Sequence, residues 1–239
     1  MKRIALTLLA VVAMAGAVGA LGWQQAGWRL PDRHNPFAPL QVDTAPNWLT
    51  SFKLARAQRD SARCAAVASG LDRLGWRASP VPDRRTGEGC GFANAWRIET
   101  IGAVQVGDAF TLSCPSLLAL AMWQHHAVEP AALRHFGQPM RRLQHVGSYA
   151  CRNLYGREST PRSRHATADA LDVTGFVLAS GRRIAVQRDW GAKDAAASAF
   201  LHEVHEGACR WFDGTLGPDY NAAHRDHFHL ETGGWRTCR

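Results

Sequence analysis

The sequence predicts an α+β domain, in which a small antiparallel sheet carries a zinc site and helices flank the sheet. Alternating or β-branched residues indicate strands, and stretches with helical periodicity lie between them. The strand segments are 96–104, 109–112, 142–149, 170–178, 183–188 and 227–231. Ala179–Arg182, which contains Ser180 and Gly181, predicts a hairpin turn between two of these strands.

Helical patterns cover the segments 49–63, 115–126, 130–136 and 192–212. Asp60 and Ser61 are expected to interrupt the first of these helices, and Pro115 suits the first turn of the second. The segment 80–91 is rich in Pro, Gly and charged residues, which predicts a loop.

The N-terminus has the pattern of an export signal. Lys2 and Arg3 precede an uncharged, apolar stretch formed by residues 4–23. Such a stretch is also long enough to span a bilayer as a hydrophobic helix. Both alternatives, a cleaved signal and an uncleaved anchor, carry the rest of the chain out of the cytoplasm.

Three regions follow from this pattern. Residues 1–23 are expected to be a signal or membrane anchor, residues 24–48 a Pro-rich linker, and residues 49–239 the functional domain. We favour a periplasmic domain anchored to the inner membrane by residues 4–23 over secretion after signal cleavage.

The six cysteines agree with export. None forms a CxxC pair, which disfavours a zinc ribbon, and scattered cysteines of even number in an exported chain are typical of disulfides. The sequence does not choose among the possible connectivities; Cys209 with Cys238 is one candidate pair.

The composition is that of a single globular domain with a basic surface. The net charge of +8 can favour an anionic partner, such as a cell-wall polymer or lipid head groups, and ordinary solubilising charge explains it equally well. Nucleic acid is not an expected partner, because the arginines are spread along the chain and no binding motif is present. We expect a monomer.

Residues suited to bind a metal ion occur in two separate segments of the sequence. His165 and Asp172 lie seven residues apart, and His229 follows much later in the chain. Two imidazoles and one carboxylate suit zinc, and three protein ligands leave a fourth position for water, as in catalytic sites. We therefore expect one zinc ion per chain, bound by His165, Asp172 and His229.

A general base is also needed, and its candidates lie beside the last ligand. His227 would share a strand face with His229, so it is the preferred base; Asp226 is the second choice, and His224 lies close as well. Arg152 follows a predicted strand and is a candidate to stabilise an oxyanion or to bind a substrate carboxylate. Each of these residues has a simpler interpretation, as a surface or ion-pair residue.

One apparent motif is a decoy. His202 and His205 flank glutamates and resemble the helical zinc-protease motif, but that motif places its histidines four residues apart. Here they are three apart, so this stretch is interpreted as a solvated helix face.

Several segments together resemble the bacterial extensin-like C-terminal domain family. They are 147–153, 163–166, 170–176, 189–190 and 221–229, and the similarity extends from about Trp48 to Cys238. That family is in turn similar to the zinc peptidases of the lysostaphin, D-Ala-D-Ala carboxypeptidase and hedgehog grouping, which includes murein endopeptidases.

This resemblance implies roles for individual residues. The grouping shares a His, a carboxylate seven residues later and an HxH whose second His binds zinc, which His165, Asp172 and His229 match. It also implies that His227 assists catalysis. The spacing of His224, His227 and His229 is most similar to that of the penicillin-insensitive murein endopeptidases.

Two positions depart from the pattern. Carboxypeptidases of the grouping have Glu where this chain has Asp226, and many members have Gly where it has Ala168.

The functional expectation is an exported zinc peptidase or amidohydrolase that acts on peptidoglycan crosslinks or stem peptides, of the D,D-endopeptidase or carboxypeptidase type. The alternative is a non-catalytic wall-binding or structural envelope module that retains a zinc site.

Overall fold

The computed structural model describes residues 9–16, 18–19 and 30–239. The chain divides into two compact units, Met1–Ala38 and Pro39–Arg239. The expected signal or anchor lies in large part outside the described residues. Where the chain is described, no helix has both the length and the apolar character needed to cross a bilayer.

In the first unit, residues 9–16 and 18–19 are helical, and a short 3-10 helix covers Asp32–His34. In the second unit, Leu40 and Val42 are buried in the hydrophobic core, although they fall within the segment expected to be a linker.

The second unit combines helices with a large sheet. Its helices are α1 (Thr50–Gln58), α2 (Ser61–Ser69), α3 (Cys114–Trp123), α4 (Glu129–Phe136), α5 (Val186–Asp189) and α6 (Ala195–Ala208). Its strands are β1 (Arg77–Val81), β2 (Arg84–Gly87), β3 (Cys90–Phe92), β4 (Ala95–Ile101), β5 (Val104–Ser113), β6 (Met140–His145), β7 (Ala170–Leu178), β8 (Arg183–Ala185), β9 (Gly214–Leu216), β10 (Phe228–Glu231) and β11 (Thr237–Cys238).

The α+β class is confirmed, but the sheet is neither small nor purely antiparallel. Within the described residues, nine strands form one sheet in the order β1-β4-β5-β6-β7-β10-β9-β11, with β8 also paired to β7. The β5–β6 and β9–β11 pairs are parallel. The short strands β9 and β11 have too few residues for an alternating pattern, so their place in the sheet is decided by tertiary packing.

The segment 80–91 is also not a plain loop, because β2 and β3 form a two-stranded hairpin within it. Gly91 makes this pairing possible: it has φ +138°, and a Cβ there would lie 2.0 Å from the carbonyl oxygen of Arg84. Any other residue would separate the strands.

Glycines and capping residues explain why other predicted elements are shorter than expected. Gly102 has φ +60° and turns the chain between β4 and β5, so residues 96–104 are not one strand. Gly147 has φ +122° and lies beyond β6, which ends at His145. The Asp194 carboxylate accepts from the N–H of Ala197 and begins α6 there, later than expected.

The helices and the sheet share one hydrophobic core. Every residue of α3 except Pro115 is buried, so this helix is apolar on all sides. Trp123 at its end is fully buried, and its indole N–H donates to the carbonyl of Val204 in α6 at 2.7 Å. This contact fixes α3 against α6 while satisfying the one polar group of the indole.

Three disulfides join the six cysteines, as the sequence predicts. Cys64–Cys114 connects α2 to α3, Cys90–Cys151 connects β3 to the loop after β6, and Cys209–Cys238 connects the end of α6 to β11. The candidate pair Cys209–Cys238 is among them. Native disulfides typically contribute roughly 2–4 kcal/mol each, so the domain has covalent support that does not depend on a metal.

Candidate metal centre

Two central strands position the first pair of expected ligands. Strands β7 and β10 are antiparallel neighbours, and Asp172 and His229 are directly opposite each other in their register. Cross-strand partners project from the same face of a sheet, so the two side chains meet. His165 comes from the 3-10 helix Arg164–Thr167, which begins where the Ser163 hydroxyl accepts from the N–H of His165.

The three side chains converge. His165 Nε2 lies 3.1 Å from Asp172 Oδ2, His229 Nδ1 lies 2.8 Å from Asp172 Oδ1, and the two imidazole nitrogens are 3.3 Å apart. One ligand atom from each residue lies within 4.8 Å of the others. All three residues are buried.

This donor set fits zinc. It offers two imidazole nitrogens and a carboxylate oxygen from a rigid sheet and a short helix, and three ligands leave a fourth position for water or substrate. The three donor atoms lie close enough to one another to bind one small ion.

Two further groups orient the histidines, and the sequence reasoning missed both. The Nδ1–H of His165 donates to the carbonyl of Ser148 at 2.9 Å, which leaves Nε2 to face the site. The Nε2 of His229 is 2.9 Å from a carboxylate oxygen of Glu231, which leaves Nδ1 to face the site. Partners of this kind fix the tautomer and ring orientation of metal-binding histidines.

The chain leaves space for the Glu231 carboxylate. A Cβ added at Gly234 would lie 2.4 Å from its Oε1, and a Cβ added at Gly214 would lie 2.5 Å from its Cγ. Two neighbouring glycines therefore make room for this side chain behind His229.

The carboxylates set the charge state of the metal-free site. Burial alone would lower the pKa of His229, but hydrogen bonds to Asp172 and Glu231 outweigh burial and raise that pKa to about 9. Burial would likewise raise the pKa of Asp172, but hydrogen bonds from His165 and His229 hold it well below its usual range. Asp172 is thus ionised and ready to bind a cation.

We expect Glu231→Gln to weaken zinc binding by roughly 10–100-fold, the usual effect of losing a partner that orients a ligand. The amide removes the negative charge behind His229 but keeps the size of the side chain. Competition with a chromogenic chelator measures the change. Glu99→Gln is the matched control, because Glu99 is half exposed beside Arg77; equal affinities for both variants would contradict the role of Glu231.

We expect zinc binding near neutral pH to release a proton from His229. Its pKa of about 9 means that it is protonated in the metal-free protein, and a ligand nitrogen must lose that proton. Affinity should therefore rise with pH, by about tenfold per unit for one proton, and level off above the pKa. Calorimetry in buffers of different ionisation enthalpy measures the release; a heat independent of buffer would contradict it.

His227 lies beside the three expected ligands. Its Nε2 is 3.6 Å from Asp172 Oδ1, and its Nδ1 is 2.8 Å from a carboxylate oxygen of Asp226. Residues 227, 229 and 231 alternate along the chain and share one face, so His227 and Glu231 bracket His229. Asp226 is half exposed and acts on the site only through His227.

His224 is also at the site, on a separate turn. Its Nδ1–H donates to the Asn221 side-chain oxygen at 2.8 Å, and its ring centroid lies 5.3 Å from that of His227 and 5.8 Å from that of His229. Burial, together with the neighbouring His229 and His227, lowers the pKa of His224 to about 4. His224 is therefore neutral near pH 7, and its Nε2 can accept a hydrogen bond.

Arg152 reaches the same place from the loop after β6. Its guanidinium lies 4.0 Å from Asp172 Oδ2, and its side chain remains 44% exposed. Cys151, the residue before it, is bonded to Cys90. The disulfide holds the position of Arg152, and the exposure leaves its charge available to a ligand.

Two residues near the ligands have local roles. Asp169 does not support a ligand: its carboxylate accepts from the Thr167 hydroxyl, and its carbonyl accepts from the N–H of Thr232. Ala168 is fully buried with φ +57°, in the left-handed region. Glycine adopts this conformation more readily than alanine does.

The decoy in α6 is not a metal site. His202 is exposed, but His205 is buried, with its ring 5.1 Å from that of Phe228, so the expectation of a solvated face was wrong for His205. His205 also lies near Cys209 and Cys238, whose sulfurs bond to each other and not to an ion.

Comparison with known proteins gives one clear result. The family model described as "Extensin-like protein C-terminus" matches residues 62–239. Neither the curated proteins nor the solved structures contain a match. The matched region includes every candidate ligand and every candidate catalytic residue, and it covers most of the chain. The chain therefore belongs to the extensin-like protein C-terminus family.

Proposed function

We propose that this protein is an exported zinc-dependent peptidase or amidohydrolase that cleaves peptide crosslinks or stem peptides of peptidoglycan. The observation that carries the proposal is the convergence of His165, Asp172 and His229 within 4.8 Å, with His227 beside them. The resemblance of this pattern to murein endopeptidases supports peptidoglycan as the substrate class. The N-terminal export pattern agrees with a substrate outside the cytoplasm, and the net charge of +8 agrees with an anionic wall polymer.

The residues fit a hydrolytic mechanism. His165, Asp172 and His229 would hold a zinc ion, which would supply Lewis acidity toward a water molecule and the scissile carbonyl. His227 takes a proton from the attacking water as the new C–O bond forms. It then gives this proton to the amine nitrogen as the C–N bond breaks, so protons and electrons balance over the reaction.

Other side chains support these transfers. Asp226 accepts a hydrogen bond from His227 Nδ1 and stabilises the imidazolium that forms when His227 is protonated. Arg152 is placed to stabilise negative charge on the carbonyl oxygen or to bind a substrate carboxylate. His224 is neutral near pH 7 and offers a hydrogen-bond acceptor near His227, with ring centroids 5.3 Å apart.

A purely structural role for the metal is disfavoured. Structural zinc sites are closed by four protein ligands and supply much of the folding energy of small domains. Here three residues form the set, and three disulfides already cross-link the domain.

The test is digestion of purified peptidoglycan and of D,D-crosslinked muropeptide dimers by the zinc-loaded protein, with products identified by mass spectrometry. We expect cleavage of a peptide bond that stops when a chelator removes the metal and resumes when zinc is returned. If the folded, zinc-loaded protein cleaves no muropeptide of any kind, the proposal is wrong.

A further inference from the structure

Tyr155 has a backbone conformation that tyrosine rarely adopts. Its φ and ψ are 55° and 18°, and Gly156 follows with φ +68°. The N–H of Arg157 donates to the carbonyl of Leu154 at 3.2 Å, which closes a tight turn with both central residues left-handed. Asn, Asp and Gly are the residues that suit the first of these positions, so tyrosine is strained there.

The surrounding loop holds this turn in place. The Asn153 side-chain amide donates to the carbonyls of Arg157 and Glu158, both at 3.1 Å. Asn153 also pairs with Arg162, whose guanidinium donates to the Asn153 side-chain oxygen at 2.8 Å. The strain is thus maintained by a closed set of hydrogen bonds, as is typical of strained residues at functional sites.

Packing explains the tyrosine only in part, because the residue is 52% exposed and the guanidinium of Arg157, 5.8 Å from the ring centroid, covers one face of the ring. Its hydroxyl instead accepts from the Asn221 amide at 3.3 Å, and the same Asn221 side chain accepts from His224 at 2.8 Å. The rings of Tyr155 and His224 are nearly perpendicular, with centroids 6.4 Å apart. The strained turn therefore brings a half-exposed aromatic ring to the edge of the histidine cluster.

We propose that Tyr155 is a substrate-binding residue, which borders the candidate metal centre on the His224 side and contacts the stem peptide next to the scissile bond. This inference rests on the proposed hydrolase function. A phenol offers an apolar face to a peptide chain and a hydroxyl that is already oriented by Asn221. The left-handed turn directs this ring toward the site.

The test compares Tyr155→Gly, Tyr155→Phe and the parent, all as full-length, zinc-loaded proteins. Glycine relieves the strain and removes the ring; phenylalanine keeps the ring and removes the hydroxyl. Asn94→Gly is the matched control, since Asn94 also has a positive φ, of 50°, and its N–H bonds to Asp83 away from the metal ligands. Measured quantities are Tm, kcat and KM for muropeptide cleavage, and muropeptide affinity in a His227→Ala background.

We expect Tyr155→Gly to keep or raise Tm while kcat/KM and muropeptide affinity fall by about tenfold or more. Tyr155→Phe should lose less of kcat/KM, mainly through a higher KM, and Asn94→Gly should keep the parental kcat and KM.

If the parent cleaves muropeptides and Tyr155→Gly cleaves them equally well, the role of Tyr155 is overturned and the hydrolase proposal stands. A parallel loss of Tm and activity in Tyr155→Gly also overturns it, because the residue is then structural. If the parent neither cleaves nor binds muropeptides, both proposals fail.

Discussion

Replacing His227 by alanine should reduce muropeptide hydrolysis by about 10²–10⁴-fold, the usual contribution of a general acid–base residue, while zinc content stays unchanged. The reason lies in the geometry: His227 Nε2 is 3.6 Å from Asp172 Oδ1, beside the expected ligands but not among the three that converge. Single-turnover assays on protein of known zinc content measure the effect.

The matched comparison is Asp226→Asn. Asp226 acts through its hydrogen bond to His227 Nδ1 and is half exposed, so solvent screens its charge. Its replacement should reduce kcat by less than the loss of His227 and leave KM near the parental value. A His227→Ala protein that retains full activity would show that another residue takes the proton.

The second large effect is expected for Asp172→Asn, which should abolish stoichiometric zinc binding. Asp172 is the one carboxylate among the three expected ligands and lies 2.8 Å from His229 Nδ1 and 3.1 Å from His165 Nε2. The loss should exceed the roughly 10–100-fold that removal of a supporting carboxylate causes. Equilibrium dialysis with zinc, followed by elemental analysis, measures it, and hydrolysis should disappear with the metal.

Asp189→Asn is the control for the Asp172 variant. Asp189 is 7% exposed against 8% for Asp172, and its carboxylate accepts from Arg188 and from the N–H of Ala185. Its loss should lower Tm without changing zinc content. If both variants bind zinc as the parent does, Asp172 is not a ligand; if both lose zinc together, the effect of Asp172→Asn is one of folding.

The sequence predicts some elements well because their signals are local. Strand β7 has the expected bounds, Ala170–Leu178, since a mostly apolar segment is closed by the turn at Gly181. The convergence of His165, Asp172 and His229 was also predictable, because two of them occupy strands and their spacing matches a known pattern.

Glu231 could have been predicted from the sequence as well. It lies two residues after His229 on the same strand, so alternation places both on one face. The metal-ligand pattern in the sequence does not include Glu231, although a carboxylate that accepts a hydrogen bond from a metal-binding histidine is a common arrangement.

The other features depend on contacts between distant parts of the chain. The Ser148 carbonyl meets His165 only because the loop between them follows a path set by Gly147 and by the Cys90–Cys151 disulfide. Strand β11 joins the sheet through long-range pairing with β9, which no local pattern encodes. The size of the sheet therefore could not be read from the periodicity of single segments.

The most direct measurement is the number of zinc ions per chain, determined by elemental analysis on the purified, folded protein. We expect one zinc per chain, present after purification or regained after zinc is added to chelator-treated protein. A well-folded protein that holds no zinc even after zinc is added would contradict the proposed hydrolase function, because the acid–base residues around His227 would then have no metal with which to act.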